Sequence, residues 1–233
     1  MCGRFTLKTD PRKLTQHFDA GQLELFPRYN IAPSQPILVV RAAESSSPVE
    51  ASRQWATVRW GLVPSRAKDE TIGHRMINAR SETVTEKPAF RSAFKYRRCL
   101  IPCDGFFEWE RVGRKKQPFY FQLAGEELFV MAGLWEHWQD ANGNELESCT
   151  VLTTSANSLL ADIHDRMPVI LTPADYEHWL GPETEPAELL AMLKPYDAKQ
   201  MTSRAVSTVV NSPSRDDVSC IEPAPTDLFG GYA

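Results

Sequence analysis

Along the chain, the spacing of apolar positions changes character near residue 98. Before it, short helical and extended stretches alternate with polar loops. Asp10 and Pro11, followed by Leu14 and Phe18 on one helical face, predict a short capped helix. "ILVV" at 37–40 reads as a buried strand, and "RAAESSSPVEASR" at 41–53 as a polar surface loop. "PAFRSAFKYRR" begins with proline and sets Phe90, Ala93 and Phe94 at helical spacing, which predicts a helix with a basic outer face. After it come short β-branched or aromatic runs, "CLIPC", "FFEWE", "PFYFQL", "LFVMAGLWE" and "CTVLTTS", separated by turn material such as "VGRKK" and "DANGN". A second helical stretch, "ADYEHWL" to "AELLAML", precedes one more apolar strand at "AVSTVV" and the tail "EPAPTDLFGGYA". With no internal repeat and no βαβ alternation, the pattern predicts an α+β fold. Its frame is a single domain on a curved, mainly antiparallel sheet or barrel with flanking helices.

Composition narrows this little but excludes several classes. A chain of 233 residues with 42% hydrophobic content suits one domain with a sizeable core. No apolar run approaches the ~18 residues of a membrane span, and the start lacks the basic-then-apolar layout of a signal peptide. A cytosolic or nuclear protein without a membrane partner is expected. Five cysteines at irregular spacing (2, 99, 103, 149, 220) read as thiols rather than a disulfide framework. Cys99 and Cys103 lack a second Cys or His pair at finger spacing, so no metal is expected and core packing explains them. No glycine-rich phosphate loop or nucleophile elbow is present, and no cofactor is expected.

Charge is distributed unevenly. Residues 1–120 hold 21 Lys/Arg against 12 Asp/Glu, whereas residues 121–233 hold 5 against 18. The basic half suits a polyanion such as nucleic acid; alternatively, the two halves fold together and neutralise each other.

The start, "MCGRFT", raises a chemical question. Removal of Met1 would leave Cys2 with an α-amine and a thiol on adjacent carbons. At pH 7 roughly a tenth of such amines are neutral, against roughly one lysine in a few thousand. With an aldehyde the amine would form an imine, and the thiol could close on it to a thiazolidine, a step lysine cannot take. The alternative is a small residue that merely suits methionine removal.

Three further stretches could carry chemistry. "INAR" sets Asn78 and Arg80 on one side of a strand, an amide and a guanidinium suited to a polarised carbonyl and a phosphate, or a routine turn asparagine. "DGFFEWE" puts Phe106, Glu108 and Glu110 on one face and Phe107 and Trp109 on the other. Glu108 is either a partly buried carboxyl of raised pKa or an exposed cross-strand charge. "DIHDRMPVIL" gives His164 the densest polar neighbourhood of the five histidines, fit for acid–base work, although Asp165 and Arg166 also read as an ion pair. His17 and His178 fall on amphipathic helices, His137 beside a turn and His74 in a polar loop.

"MCGRF", "RYNIAPSQ", "WGLVP", "INARSET", "CLIPCDGFFEW", "KKQPFYF" and "DIHDRMPVIL", in that order over residues 2–210, resemble the SOS-response-associated peptidase (SRAP) family of abasic-site processing proteins. The resemblance implies an SRAP-like domain over residues 1–222, with 223–233 a proline- and glycine-rich tail. It also implies binding to single-stranded DNA and a thiazolidine crosslink between Cys2 and the aldehyde of an abasic site, which shields the lesion. Asn78, Glu108 and His164 would surround Cys2, and Arg4, Arg80 and Arg166 would hold phosphates. An older assignment in the family is peptidase activity, beside hydrolase or lyase-like imine chemistry. A monomer in the bacterial cytoplasm, on the nucleoid when bound to damaged DNA, fits this picture. The chain departs from the pattern after "WGLVP", where "SRAKDETIG" replaces bulky aromatics that wedge against bases; this bears on junction preference, since stacking contributes about 1–3 kcal/mol per base.

Two other readings compete. An N-terminal-nucleophile amidohydrolase would need an apolar strand after Cys-Gly and an Asn-Gly oxyanion element, yet Arg4 follows here and Asn142–Gly143 reads as a hairpin turn. A non-covalent DNA-binding module would leave Cys2 incidental.

Overall fold

In the computed structural model, which describes residues 2–43, 53–113, 115–125 and 127–225, two sheets pack around one shared apolar core. β1 (Arg4–Leu7) leads into α1 (Pro11–Phe18), whose N-cap carboxylate on Asp10 accepts from Arg12 N at 2.8 Å and whose buried face is Leu14 and Phe18. There follow β2 (Arg28–Ile31), β3 (Pro36–Ala42), β4 (Arg53–Trp60), β5 (Asn78–Arg80), α2 (Arg91–Tyr96), β6 (Arg98–Cys103), β7 (Gly105–Val112) and β8 (Lys115–Leu123). The chain continues through β9 (Phe129–Gln139), β10 (Glu145–Ser155), β11 (Arg166–Pro168), β12 (Ile170–Leu171), α3 (Tyr176–Leu180), α4 (Pro186–Met192) and β13 (Met201–Ala205).

β10, β4, β3, β6 and β9 pair in sequence, and β9 pairs with β10 to close a five-stranded barrel. The second sheet, in the order β13–β8–β7–β1–β2, is antiparallel throughout. The fold is thus α+β, a closed barrel and an antiparallel sheet with a few short helices. Past Val151, β10 leaves β9 and takes β5 in parallel on one edge and β11 antiparallel on the other. This splayed end of β10 frames the candidate site.

The antiparallel sheet has two covered faces. Phe5, Phe106 and Phe121 face the main core, where Phe5 meets Trp60 edge-on at 5.3 Å and Phe106 stacks on Phe121 at 5.3 Å. On the other face Phe107 and Tyr120 pack with Val206, Val210 and Cys220. Tyr120 lies over Gly105, where a Cβ would come within 2.1 Å of the ring. Its hydroxyl therefore reaches Thr6 Oγ1 at 2.8 Å and the Asp104 carbonyl at 3.1 Å. Asp104, fully buried, accepts from Lys8 N, Thr9 N and Thr6 Oγ1 at 2.5–2.9 Å and so fixes the end of β1 against β7.

Several elements differ from the sequence expectation. Four segments with weak period-two signals, β1, β2, β5 and β11, are strands because neighbours supply their pairing. The strand expected at "AVSTVV" lies earlier, at Met201–Ala205; Ser207 accepts from Val209 N and starts a 3-10 turn over Thr208–Asn211. The second helical stretch is two helices, parted at Gly181–Pro182. The strands β3 and β4 extend into both ends of the expected 41–53 loop, whose centre, 44–52, lies outside the described residues. In the tail, Pro223 bridges Val206 and Ala224 N donates to Ala205 O at 3.0 Å, while 226–233 lie outside the described residues.

Arg98 shows how the two helical regions are tied together. Only 5% exposed, it donates to the carbonyls of Phe94 and Lys95 at 2.7 and 2.5 Å and to those of Trp179 and Gly181 at 2.6 Å each. One guanidinium thus caps the carbonyl ends of α2 and α3, where helix dipoles favour a cation. The charge halves also interlock: Arg28 pairs with Asp216, Arg41 with Glu147, Arg53 with Glu177 and Arg97 with Glu136. Mutual neutralisation therefore accounts for part of the asymmetry. The five cysteines are all free and buried. Among the described residues no helix is long and apolar enough to cross a membrane, and no cluster of His, Cys, Asp and Glu is placed to hold a metal.

Candidate active site

Cys2 precedes β1, and β1 runs antiparallel to β7 with Arg4 opposite Phe107 and Phe5 opposite Phe106. Continuing that register brings the chain before Arg4 alongside Glu108. From the barrel side, β5 pairs in parallel with β10, Asn78 opposite Val151 and Arg80 opposite Thr153. The β5 approach is fixed by two bonds to the Ile77 carbonyl, from Val151 N at 3.1 Å and Trp60 Nε1 at 2.8 Å. Asn78 Nδ2 then donates to the Cys2 carbonyl oxygen at 2.8 Å, joining the two sheets at the site. Its Oδ1 is buried and has no hydrogen-bond partner among the described residues.

The electrostatics follow from burial. Cys2 is fully buried, and burial, helped by the charge of Glu108, holds its thiol well above the usual range. Glu108 is 2% exposed, and burial raises its carboxyl to about 7, with the charge of Asp165 acting in the same direction. The reading of Glu108 as a buried carboxyl holds over that of an exposed one because both faces of β7 are covered. His164 precedes β11, its N–H bonded to Leu160 O at 2.9 Å. Its Nδ1 accepts from Arg166 N at 3.0 Å, which puts the proton of the neutral ring on Nε2; Asp165 Oδ1, also at 3.0 Å, suits the protonated ring. Burial, chiefly, lowers the His164 pKa.

The three arginines differ. Arg80 is exposed at the end of β5. Arg166, 8% exposed, sits across β10 from it; its fork grips Glu82 at 2.6 and 2.9 Å and Thr153 O at 2.6 Å. Arg4 is half-buried and turned toward the C-terminal segment, donating to Asn30 Oδ1 at 2.8 Å and Val210 O at 2.7 Å. Cys2, Asn78 and Glu108 are therefore brought together and His164 joins them through its neighbour Asp165, whereas Arg4 is engaged by Asn30 and the C-terminal segment.

Sequence reasoning missed the supporting residues. Asn30, fully buried, donates to the carbonyls of Val210, Ser212 and Arg215 at 2.6–3.1 Å, and Asp216 accepts from Tyr29 N and Asn30 N at 2.5 and 2.8 Å. Together they strap the C-terminal segment over β2. Trp109, next to Glu108, donates to Asn211 Oδ1 at 2.7 Å and lies 5.9 Å from the Arg4 guanidinium. Only the Asn and Asp side chains hinted at these roles, and nothing in the sequence says that positions about 180 apart meet.

A family model described as "SOS response associated peptidase (SRAP)" matches residues 1–213. Among curated proteins, the abasic site processing protein YoqW of Bacillus subtilis (strain 168) is 45% identical over 228 residues, 95% of this chain and 99% of that one. The abasic site processing protein HMCES of Xenopus tropicalis is 32% identical, covering 92% of this chain and 71% of that one. Among solved structures, a protein from Bacteroides thetaiotaomicron superposes with a TM-score of 0.85 at 28% identity, over 96% of this chain and all of that one. One from Bordetella bronchiseptica gives 0.75 at 28% identity, over 88% of this chain and all of that one.

Proposed function

The chain belongs to the SOS response associated peptidase (SRAP) family, and from that premise we propose that it acts in the DNA-damage response by binding single-stranded DNA at abasic sites and crosslinking to them through Cys2. The observation that carries this reading is the junction of Cys2, Asn78 and Glu108, a potential aminothiol held by an amide beside a carboxyl of pKa about 7.

After removal of Met1 the α-amine of Cys2 attacks the ring-opened aldehyde, forming a C–N bond, and loss of water leaves the imine. Glu108, partly ionised near neutrality, takes a proton from the α-ammonium and so frees the amine that attacks. Glu108, now protonated, returns that proton to the departing hydroxyl, which leaves as water, while the neutral His164 offers its Nε2–H as a hydrogen bond to that oxygen. The Cys2 thiol then adds across the C=N bond: sulfur bonds to carbon, its proton passes to nitrogen, and a thiazolidine results. Because burial keeps the thiol protonated, Glu108 is again the acceptor through which that proton moves. Ring closure removes the electron sink an imine would offer to strand scission. The buried Asn78 Oδ1 is an acceptor for the freed amine. Arg80 and Arg166, on either side of the β10 end, are suited to the flanking phosphates. The amidohydrolase alternative loses its oxyanion element, since Asn142–Gly143 forms the β9–β10 hairpin.

The test is intact mass of the purified protein before and after incubation with a single-stranded oligonucleotide carrying one abasic site. Loss of Met1 and a denaturation-resistant adduct, absent in Cys2→Ala, are expected. A protein that lacks Met1 and forms no adduct overturns the proposal; binding without an adduct would leave a non-covalent module.

A further inference from the structure

Cys2 leads into a strand of one sheet and Asn78 opens a strand of the other, so no shared ladder of backbone bonds sets their separation. Yet the bond from Asn78 Nδ2 to the Cys2 carbonyl needs both backbones placed within the narrow distance range of a good hydrogen bond. Something must hold β1 and β5 at that spacing.

Trp60, the last residue of β4, stands between them and is fully buried. Its Nε1–H donates at 2.8 Å to the carbonyl of Ile77, the residue before Asn78. Its ring meets that of Phe5, three residues after Cys2, edge-on at 5.3 Å with 65° between the planes. One indole thus touches the approach to β5 with its polar edge and β1 with its apolar surface. The Ile77 carbonyl also accepts from Val151 N at 3.1 Å, which uses both its lone pairs. That bond, and the one from Leu62 N to the Met76 carbonyl at 3.1 Å, set β5 against the barrel. The indole relates β5 to the other sheet.

A spacer works only if both its ends are rigid. Trp60 N donates to Gln35 O at 3.0 Å, its carbonyl accepts from Ser34 N at 2.7 Å, and Gly61 N donates to Cys149 O at 2.8 Å. Phe5 is paired on both sides, with Ile31 and with Phe106. Two other buried indoles serve elsewhere: Trp179 donates to Cys99 O at 3.0 Å and Trp138 to Ala67 O at 2.8 Å, tying a helix and a loop to the barrel.

We propose that Trp60 is a positioning residue for the crosslinking chemistry, its indole setting the spacing of β1 and β5 at which Asn78 meets the Cys2 carbonyl. It touches no reacting atom and acts through Asn78. This rests on the crosslinking reading above and extends it to a residue outside the reacting group.

The experiment uses the full chain, freed of Met1, with Trp60→Phe and two site-specific replacements of nearly unchanged shape. Trp60→benzothienylalanine puts sulfur where the N–H stands; Trp60→azatryptophan keeps the N–H. At saturating abasic-site DNA the single-turnover rate of adduct formation should fall roughly tenfold in the first two, the value of one neutral hydrogen bond, and return to near the wild-type rate in the third. The DNA concentration giving half the maximal rate should change little. Added to Asn78→Ala, Trp60→Phe should slow the reaction no further, because the contact it serves is already gone. A second readout needs no DNA. By NMR, the side-chain amide of Asn78, assigned by its loss in Asn78→Ala, should exchange with solvent faster once the indole N–H is removed.

Losses that multiply in the double variant, or an Asn78 amide unmoved by loss of the N–H, overturn the proposal and leave Trp60 a core residue. So does a benzothienylalanine protein that reacts at the wild-type rate. If the wild type itself forms no adduct, the crosslinking reading fails while the Asn78 amide still decides whether Trp60 sets this contact, so the two failures are read separately.

Discussion

The side chain of Asn78 donates to the carbonyl oxygen of Cys2 at 2.8 Å, across 76 positions of sequence and between two different sheets. This contact holds the amino terminus in register with Glu108. In Asn78→Ala the Cys2 carbonyl loses its donor, at a cost of about 1–3 kcal/mol, and the terminus loses its alignment. The single-turnover rate of adduct formation should fall roughly ten- to a hundredfold, with a smaller effect on DNA affinity. Equal rates in wild type and variant would mean that another group aligns Cys2.

Glu108 predicts two pH dependences. Its pKa of about 7 in the folded protein is above the ordinary 4.5, so the folded state binds the proton more tightly. The resulting stability is fully present below pH 4.5 and is lost as pH rises through 7, a loss of roughly 3 kcal/mol. Glu108→Gln should remove that slope and be more stable than wild type at pH 8, by chemical denaturation. The rate of adduct formation should show the opposite trend, rising through pH 7 as the carboxylate appears; Glu108→Gln should lose that inflection and keep only that of the amine.

Arg98→Met tests the tie between the helices. Removing the guanidinium strands four carbonyls at the ends of α2 and α3 in a buried setting. A loss of roughly 3–5 kcal/mol is expected, visible as a lower urea midpoint at unchanged m-value. A loss under 1 kcal/mol would show that water replaces the guanidinium without cost.

The Arg166–Glu82 pair predicts a gain of function. Glu82 holds the Arg166 fork at both nitrogens, and that pairing lowers the Glu82 pKa. A phosphate at Arg166 must compete with this carboxylate. Glu82→Gln should tighten DNA binding and steepen its salt dependence by up to about 0.7, one single-strand phosphate contact; Arg166→Ala should weaken binding. Weaker binding in Glu82→Gln would instead mark Glu82 as the group that orients Arg166 for phosphate.

What the sequence by itself determined was local: period and caps placed α1, α2 and the strands from "CLIPC" to "CTVLTTS", and the block "MCGRF" with "INARSET" and "DIHDRMPVIL" pointed to Cys2, Asn78 and His164. Short strands such as β1, β5 and β11 carry too few residues for a periodic signal, and only their partners on β7 and β10 make them strands. Glu108 was ambiguous for the same reason. Alternation gives a side chain a face but not what covers it, and here Phe106 and Phe107 pack into two different cores, leaving Glu108 buried. The engagement of Arg4 by Asn30 and Val210, of Arg166 by Glu82, and of Trp109 by Asn211 was decided by the tertiary structure alone. A side chain's charge is written in the sequence, but which partner meets it, and hence its solvation and pKa, depends on contacts between positions the chain brings together only on folding.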